Sequence, residues 1–157
     1  MVLLLRNLKQ LKKLTTKKQP PIRGATQNLN EMDELSGSLE EDFNRIKQLF
    51  EGAADFSYRE IKLNAANSAV ILFLTGLVNV ERMEFHVINP LLNGKEKLMK
   101  HSERTIDDLK EVLSSAQVSQ GETFKDVIAY ILSGSTVILM DGSKKALFIS
   151  EQAWEQR

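Results

Sequence analysis

Phe124 to Ser150 reads "FKDVIAYILSGSTVILMDGSKKALFIS", and the fold turns on how this stretch is parsed. Phe124, Val127-Ile128 and Ile131-Leu132 recur at helical spacing, and Thr123 with Asp126 three residues on supplies an N-terminal cap. Gly134 suits the left-handed residue that ends such a helix. Beyond it, "STVILM" and "KALFIS" are short, apolar and rich in β-branched residues, and Asp141-Gly142 between them is a strong hairpin signal. A helix that feeds a hairpin in so short a span implies helices laid on a sheet. Gly134 and Asp141-Gly142 are adequately explained as a cap and a turn, so scaffolding is their default role, with a ligand contact from the turn as the alternative.

Working back toward the N-terminus, "AQVSQ" ending at Gln120 reads as a short strand. Thr105 with Asp108 opens a capped helix through Ile106, Leu109 and Leu113. "GLVNVERMEFHVINPLLNG" from Gly76 has helical spacing through Val80, Met83 and Val87, with Asn79 as cap and Pro90 set to kink or end it. "AVILFLT" from Ala69 reads as a strand buried on both faces, and "DFSYREIKL" from Asp55 as an alternating strand near 56–63. "SLEEDFNRIKQLFEG" from Ser38 carries a capping box (Ser38, Glu41) and one apolar stripe of Leu39, Phe43, Ile46 and Leu49-Phe50. The sum is an α/β (α+β) domain: a mixed sheet of about four to five strands packed with four to five helices, closing on a C-terminal β-hairpin.

Upstream the pattern changes. Leu4, Leu8 and Leu11 follow helical spacing among lysines, a short basic amphipathic segment. Periodicity then stops, and Pro20-Pro21 and Gly24 break any helix. The expected organisation is a basic arm and linker over 1–37, a body over 38–150, and the start of a further linker over 151–157. Net charge is zero over 157 residues, yet residues 1–30 carry seven Lys/Arg and no acid. The remainder holds 14 basic against 21 acidic residues, so a basic arm precedes a body of charge −7.

Chemistry-bearing patterns are sparse. There is no cysteine, which excludes disulfides, thiolate metal sites and cysteine nucleophiles. His86 and His101 have no carboxylate or second histidine at metal-ligand spacing. Asp107-Asp108 and Glu40-Glu41-Asp42 sit in first helical turns, where the helix dipole explains them better than paired acid–base catalysis. No GxSxG elbow, P-loop or strand-linked GxGxxG is present. The expectation is a non-enzymatic domain with no metal and no cofactor. Its longest apolar run, Ala69 to Val78, is roughly half of the ~20 residues a membrane helix needs. The "MVLLLRNLKQLKK" start lacks the order and cleavage site of a secretory signal. A lysine-rich, leucine-rich arm suits an anionic membrane surface better than nucleic acid, and no specific nucleic acid is expected.

Taken in order, "ADFSYREI", "TGLVNVERMEFHVINPLL", "FKDVIAYILSGSTVILMDGSKKALFIS" and the closing "AWEQR" resemble the soluble N-terminal region of the A subunit of spore germinant receptors, the GerA family. The resemblance covers about residues 38–157. Thr75 and Asn79 depart from it, since aspartate is the commoner residue in the family's DGLVD-like motif. What the resemblance implies is a longer protein, with a second small α/β unit and membrane helices, that oligomerises and assembles with a B subunit and a lipoprotein C subunit. It implies a spore inner-membrane location, with this domain on the cytoplasmic side, and nutrient sensing coupled to ion release. On that view the present chain is a fragment or a truncated product. Two further readings stand beside it: a small-ligand module with a cleft at strand ends around Thr75-Gly76 and Asp141-Gly142, Arg59 offering a carboxylate partner, or an adaptor that binds anionic membrane through its arm.

Overall fold

The computed structural model describes residues 33–64, 66–94, 105–113 and 117–150. The basic arm, His101 and "AWEQR" lie outside the described residues. In chain order the elements are α1 (Leu39–Leu49), β1 (Phe56–Lys62), β2 (Ser68–Leu74), a helix α2, α3 (Ile106–Val112), β3 (Val118–Gly121), α4 (Phe124–Leu132), β4 (Thr136–Met140) and β5 (Ala146–Ile149). Helix α2 runs through Val80–Met83, a π-helical turn at Glu84–Ile88, and Asn89–Asn93.

The five strands form one sheet in the order β1-β2-β4-β5-β3. The sequence reading expected mixed pairing, whereas all four pairings are antiparallel. Each of the hairpins β1–β2 and β4–β5 reverses direction. The connection from α4 then inserts β4 between β2 and β5 against both neighbours. The β4–β5 hairpin forms as expected, Val137 opposite Phe148, with the loop reaching from Asp141 to Lys145.

Helices cover both faces of the sheet, which is why the central strands are apolar throughout rather than alternating. β2 is buried from Ala69 to Leu74, and β4 and β5 are buried at every position. Val70, Leu72, Leu74, Val137, Leu139, Ala146 and Phe148 pack against α1 and α4. Ile71, Phe73, Ile138, Met140, Leu147 and Ile149 pack against α2 and α3. Each central strand thus feeds two cores through its period-2 alternation.

The expected caps form. The Ser38 hydroxyl accepts from Glu41 N at 3.4 Å, Asn79 Oδ1 from Arg82 N at 3.1 Å, and the Thr123 hydroxyl from Asp126 N at 3.1 Å. At Thr105 the backbone N–H donates to Asp108 Oδ2 at 2.9 Å. α4 ends at Gly134, φ +87°, with Gly134 N donating to Ile131 O and Ser135 N to Tyr130 O, the bonds of a Schellman motif.

Pro90 does not end its helix: the chain stays helical to Asn93, and the turn just before the proline widens, Asn89 N reaching back to Glu84 O. A proline ring collides with the carbonyl four residues earlier, and a wider turn displaces that carbonyl. The packed body also begins before Ser38. Leu35 is buried at 2% exposure, its N–H donates to Glu122 O at 2.8 Å, and Asp33 O accepts from Phe124 N at 2.7 Å. An isolated leucine in a polar run carries no periodicity, so this docking leaves no local signature.

Candidate functional site

The turn after β4 is held from three sides. Asp141 N donates to Ser68 O at 2.9 Å, Gly142 N donates to Gly37 O at 2.9 Å, and Asp141 Oδ1 accepts from Leu39 N at 3.3 Å. Asp141 therefore satisfies a free N–H at the start of α1, alongside the Ser38 cap. Gly142 has φ +82°, a conformation that strains any side-chain-bearing residue. The incoming strap of Ser36-Gly37 is anchored in turn by Asp42, a buried acid whose two oxygens accept from Ser36 N at 3.0 Å and Gly37 N at 3.3 Å.

Beside this turn lies an open hollow of about 360 Å³. Gly142, Ser143, Lys144 and Lys145 form one wall, Glu34, Leu35 and Glu122 another, and the start of α3 at Thr105–Asp107 the third. Its rim carries both signs of charge, with Lys145 Nζ 3.9 Å from Glu122 Oε1. Such a hollow offers ammonium and carboxylate groups to a small polar molecule. It does not aim a nucleophile at a base. Among the described residues no group of three His, Cys, Asp or Glu is placed to hold a metal.

The other sequence-predicted positions lie elsewhere. Asp141-Gly142 and Thr75-Gly76 sit at opposite ends of β2, roughly 20 Å apart for a strand of this length. Thr75 N and Oγ1 both donate to Asp55 O, at 2.8 and 3.2 Å, and a Cβ on Gly76 would stand 3.3 Å from Asp55 Oδ2. These residues lock the β2 exit onto the loop before β1. Aspartate could not donate as the Thr75 hydroxyl does, whereas Asn79 caps α2 as an aspartate would. Arg59 lies midway along β1 and pairs with Glu84 of α2, both side chains partly exposed. The five residues therefore do not meet in a single cleft.

Sequence reasoning passed over Asp42 as one of three first-turn acids. A signal was present: on a helical wheel Asp42 falls within the stripe of Leu39, Phe43 and Ile46, where an acid must find partners. The lysines and acids of the hollow carried no such signal, since each is an ordinary surface charge until the chain folds.

A model of the family described as Bacillus/Clostridium GerA spore germination protein matches residues 44–157. The chain belongs to the GerA family. Spore germination protein GerLA of Bacillus cereus is 31% identical over 125 residues, which is 79% of this chain and 25% of that protein. The uncharacterized membrane protein YfkQ of Bacillus subtilis is 25% identical over 124 residues, 78% of this chain and 23% of that protein. The chain thus spans about a quarter of the length of these curated relatives. The crystal structure of the N-terminal domain of the A subunit of the Bacillus megaterium spore germinant receptor GerK3 superposes with a TM-score of 0.66 at 20% identity. That match covers 79% of this chain and 50% of that one, and it shows that the GerA-family chain shares its fold. Among the described residues of this GerA-family chain no helix is long and apolar enough to cross a membrane.

Proposed function

We propose that this chain is the N-terminal domain of a germinant receptor A subunit, a non-enzymatic module that assembles with B and C subunits and couples nutrient sensing to ion release. The observation that carries this reading is the shared sequence and fold: 31% identity with GerLA and the superposition on the GerK3 A-subunit domain. The architecture supports it physically. Both faces of the central strands are spent on internal packing, so the domain acts through its outer surface and passes on differences in subunit packing. The domain sits on the cytoplasmic face of the spore inner membrane. The test is to delete residues 38–150 from the full receptor and to follow co-isolation of its subunits together with nutrient-triggered ion release. Both should be lost, and a complex that assembles and responds without the domain sinks the reading.

The mixed-charge hollow favours a second reading, in which the domain itself binds a small zwitterionic nutrient beside Gly142. NMR titration with amino acids should then move the resonances of Gly142–Lys145 and Glu34 in a saturable way. Shifts absent at millimolar ligand dispose of it. Arg59, Thr75 and Gly76 belong to this reading only as separate contacts. If instead the arm is an adaptor, removing residues 1–30 abolishes binding to anionic vesicles.

A further inference from the structure

The chain holds one Asn-Gly pair, Asn93-Gly94, and one Asp-Gly pair, Asp141-Gly142. In such pairs the backbone nitrogen of the glycine, with no Cβ beside it, can reach the side-chain carbonyl carbon of the residue before it. The attack needs a glycine N–H released from other bonds, a side chain free to turn, and a backbone that can leave its folded geometry. Asp141-Gly142 has none of these freedoms. Asp141 Oδ1 accepts from Leu39 N at 3.3 Å, Asp141 N is held by Ser68 O at 2.9 Å, and Gly142 N by Gly37 O at 2.9 Å. The pair is tied at once to the strap, to α1 and to β2. Asn93-Gly94 closes α2 under lighter restraint. Asn93 is exposed, and among the described residues its side chain makes no hydrogen bond. The Gly94 N–H is held by Pro90 O alone, at 2.8 Å, within the last turn of the helix. Helix ends fray at little cost. This end is short: Asn89–Asn93 is five residues long, follows the π-helical turn, and contains a proline that donates nothing.

We propose that Asn93 is the site at which the folded domain deamidates spontaneously, and that the fold protects Asp141 from the equivalent isomerisation. When the last turn opens, Gly94 N bonds to Asn93 Cγ, the Cγ–Nδ2 bond breaks, and ammonia leaves with the proton that Gly94 N gives up. The product is a five-membered succinimide. Water then adds to one of its two carbonyl carbons and breaks that carbon's bond to Gly94 N. Opening at Cγ gives aspartate. Opening at the backbone carbonyl gives isoaspartate, whose main chain runs through Cβ and Cγ. Only water is consumed, so no enzyme or cofactor is needed. Either product sets a carboxylate at the C-terminal end of α2, the negative end of its dipole. Isoaspartate also lengthens the main chain by a methylene just where α2 meets α3. Gly94 lies so close to its neighbours that a Cβ on it would stand 2.9 Å from Val112 Cγ1 of α3 and 2.7 Å from Pro90 O. A displaced Gly94 cannot keep that seat, so the modification loosens α2 on the core it shares with α3. The inference is independent of the receptor-subunit reading and of any ligand at the hollow.

The test is to incubate the 157-residue chain at mildly alkaline pH, folded and in denaturant, and to follow its tryptic peptides by mass spectrometry and isoaspartyl methyltransferase labelling. The peptide spanning residues 83–95 should gain the mass of an acid replacing an amide, and should accept label. Its rate in the folded chain should lie within about tenfold of that in denaturant, since only a frayed turn has to open. The peptide spanning residues 126–144, which carries Asp141, should label in denaturant and at least about a hundredfold more slowly when folded. Asn93→Gln, whose longer side chain must close a six-membered ring, should silence residues 83–95 and leave the thermal midpoint unchanged. Aged parent, enriched in the modified form by ion exchange, should melt below fresh parent, whereas N93Q aged alongside should not. If folding slows Asn93 as strongly as Asp141, or if Asp141 labels in the folded chain as fast as Asn93, the assignment is overturned.

Discussion

Asp42 is 4% exposed and holds two backbone N–H groups of the strap that leads into α1. Removing its carboxylate leaves both donors without an acceptor in a partly buried place. Asp42→Ala should destabilise the domain by about 1–3 kcal/mol in denaturant unfolding, with Asp42→Asn retaining part of the loss. Asp141 poses the opposite case, a sequence-nominated ligand residue whose carboxylate is spent on Leu39 N. Asp141→Ala should cost about 0.5–1 kcal/mol, as loss of a helix N-terminal acceptor does, and Asp141→Asn should cost less. If Asp141→Ala leaves stability unchanged yet abolishes nutrient shifts at the hollow, its role is recognition and not capping. Both residues look alike as letters in the chain. What separates them from ordinary surface acids is the backbone brought beside them from residues 36–39.

At the scale of elements, local rules carried far. The four caps at Ser38, Asn79, Thr105 and Thr123 form because a polar side chain can reach a backbone N–H only two or three residues away, ahead from Ser38, Asn79 and Thr123 and back from Asp108 to Thr105, whatever the rest of the fold does. The end of α4 is the most constrained junction. Gly134 combines φ +87° with Leu77 Cβ and O each 3.3 Å from where its own Cβ would lie. Gly134→Ala meets both a left-handed backbone and a tight neighbour, and should lower stability by about 1–2 kcal/mol by thermal or denaturant melting. α2 shows where local rules give out. Pro90 forbids a regular α-helix through itself, but whether the chain stops or widens depends on what holds its two ends. Met83, Val87 and Ile88 before the proline and Leu91 after it are all buried in one core, and a widened turn keeps both sides seated.

At the scale of the molecule, one sheet separates two cores, and its central strands belong to both. Leu72 and Leu109 are fully buried on opposite sides. Leu72→Ala and Leu109→Ala should each cost about 2–5 kcal/mol. Because they share no partner, the double variant should lose the sum to within about 0.5 kcal/mol in a single transition. Two separate transitions would show instead that the layers melt independently. The sequence by itself determined the elements: period 3.6 for the helices, period 2 or continuous apolar runs for the strands, and caps and turns readable within four residues. It also carried the family, through ordered segments from "ADFSYREI" onward. Tertiary structure alone decided the all-antiparallel strand order, the docking of Leu35, the burial of Asp42, the opposite placement of Thr75-Gly76 and Asp141-Gly142, and the charged hollow. Each of these depends on which residues distant in the chain become neighbours, and neighbours are set by closing two cores at once, a condition no short window of sequence contains.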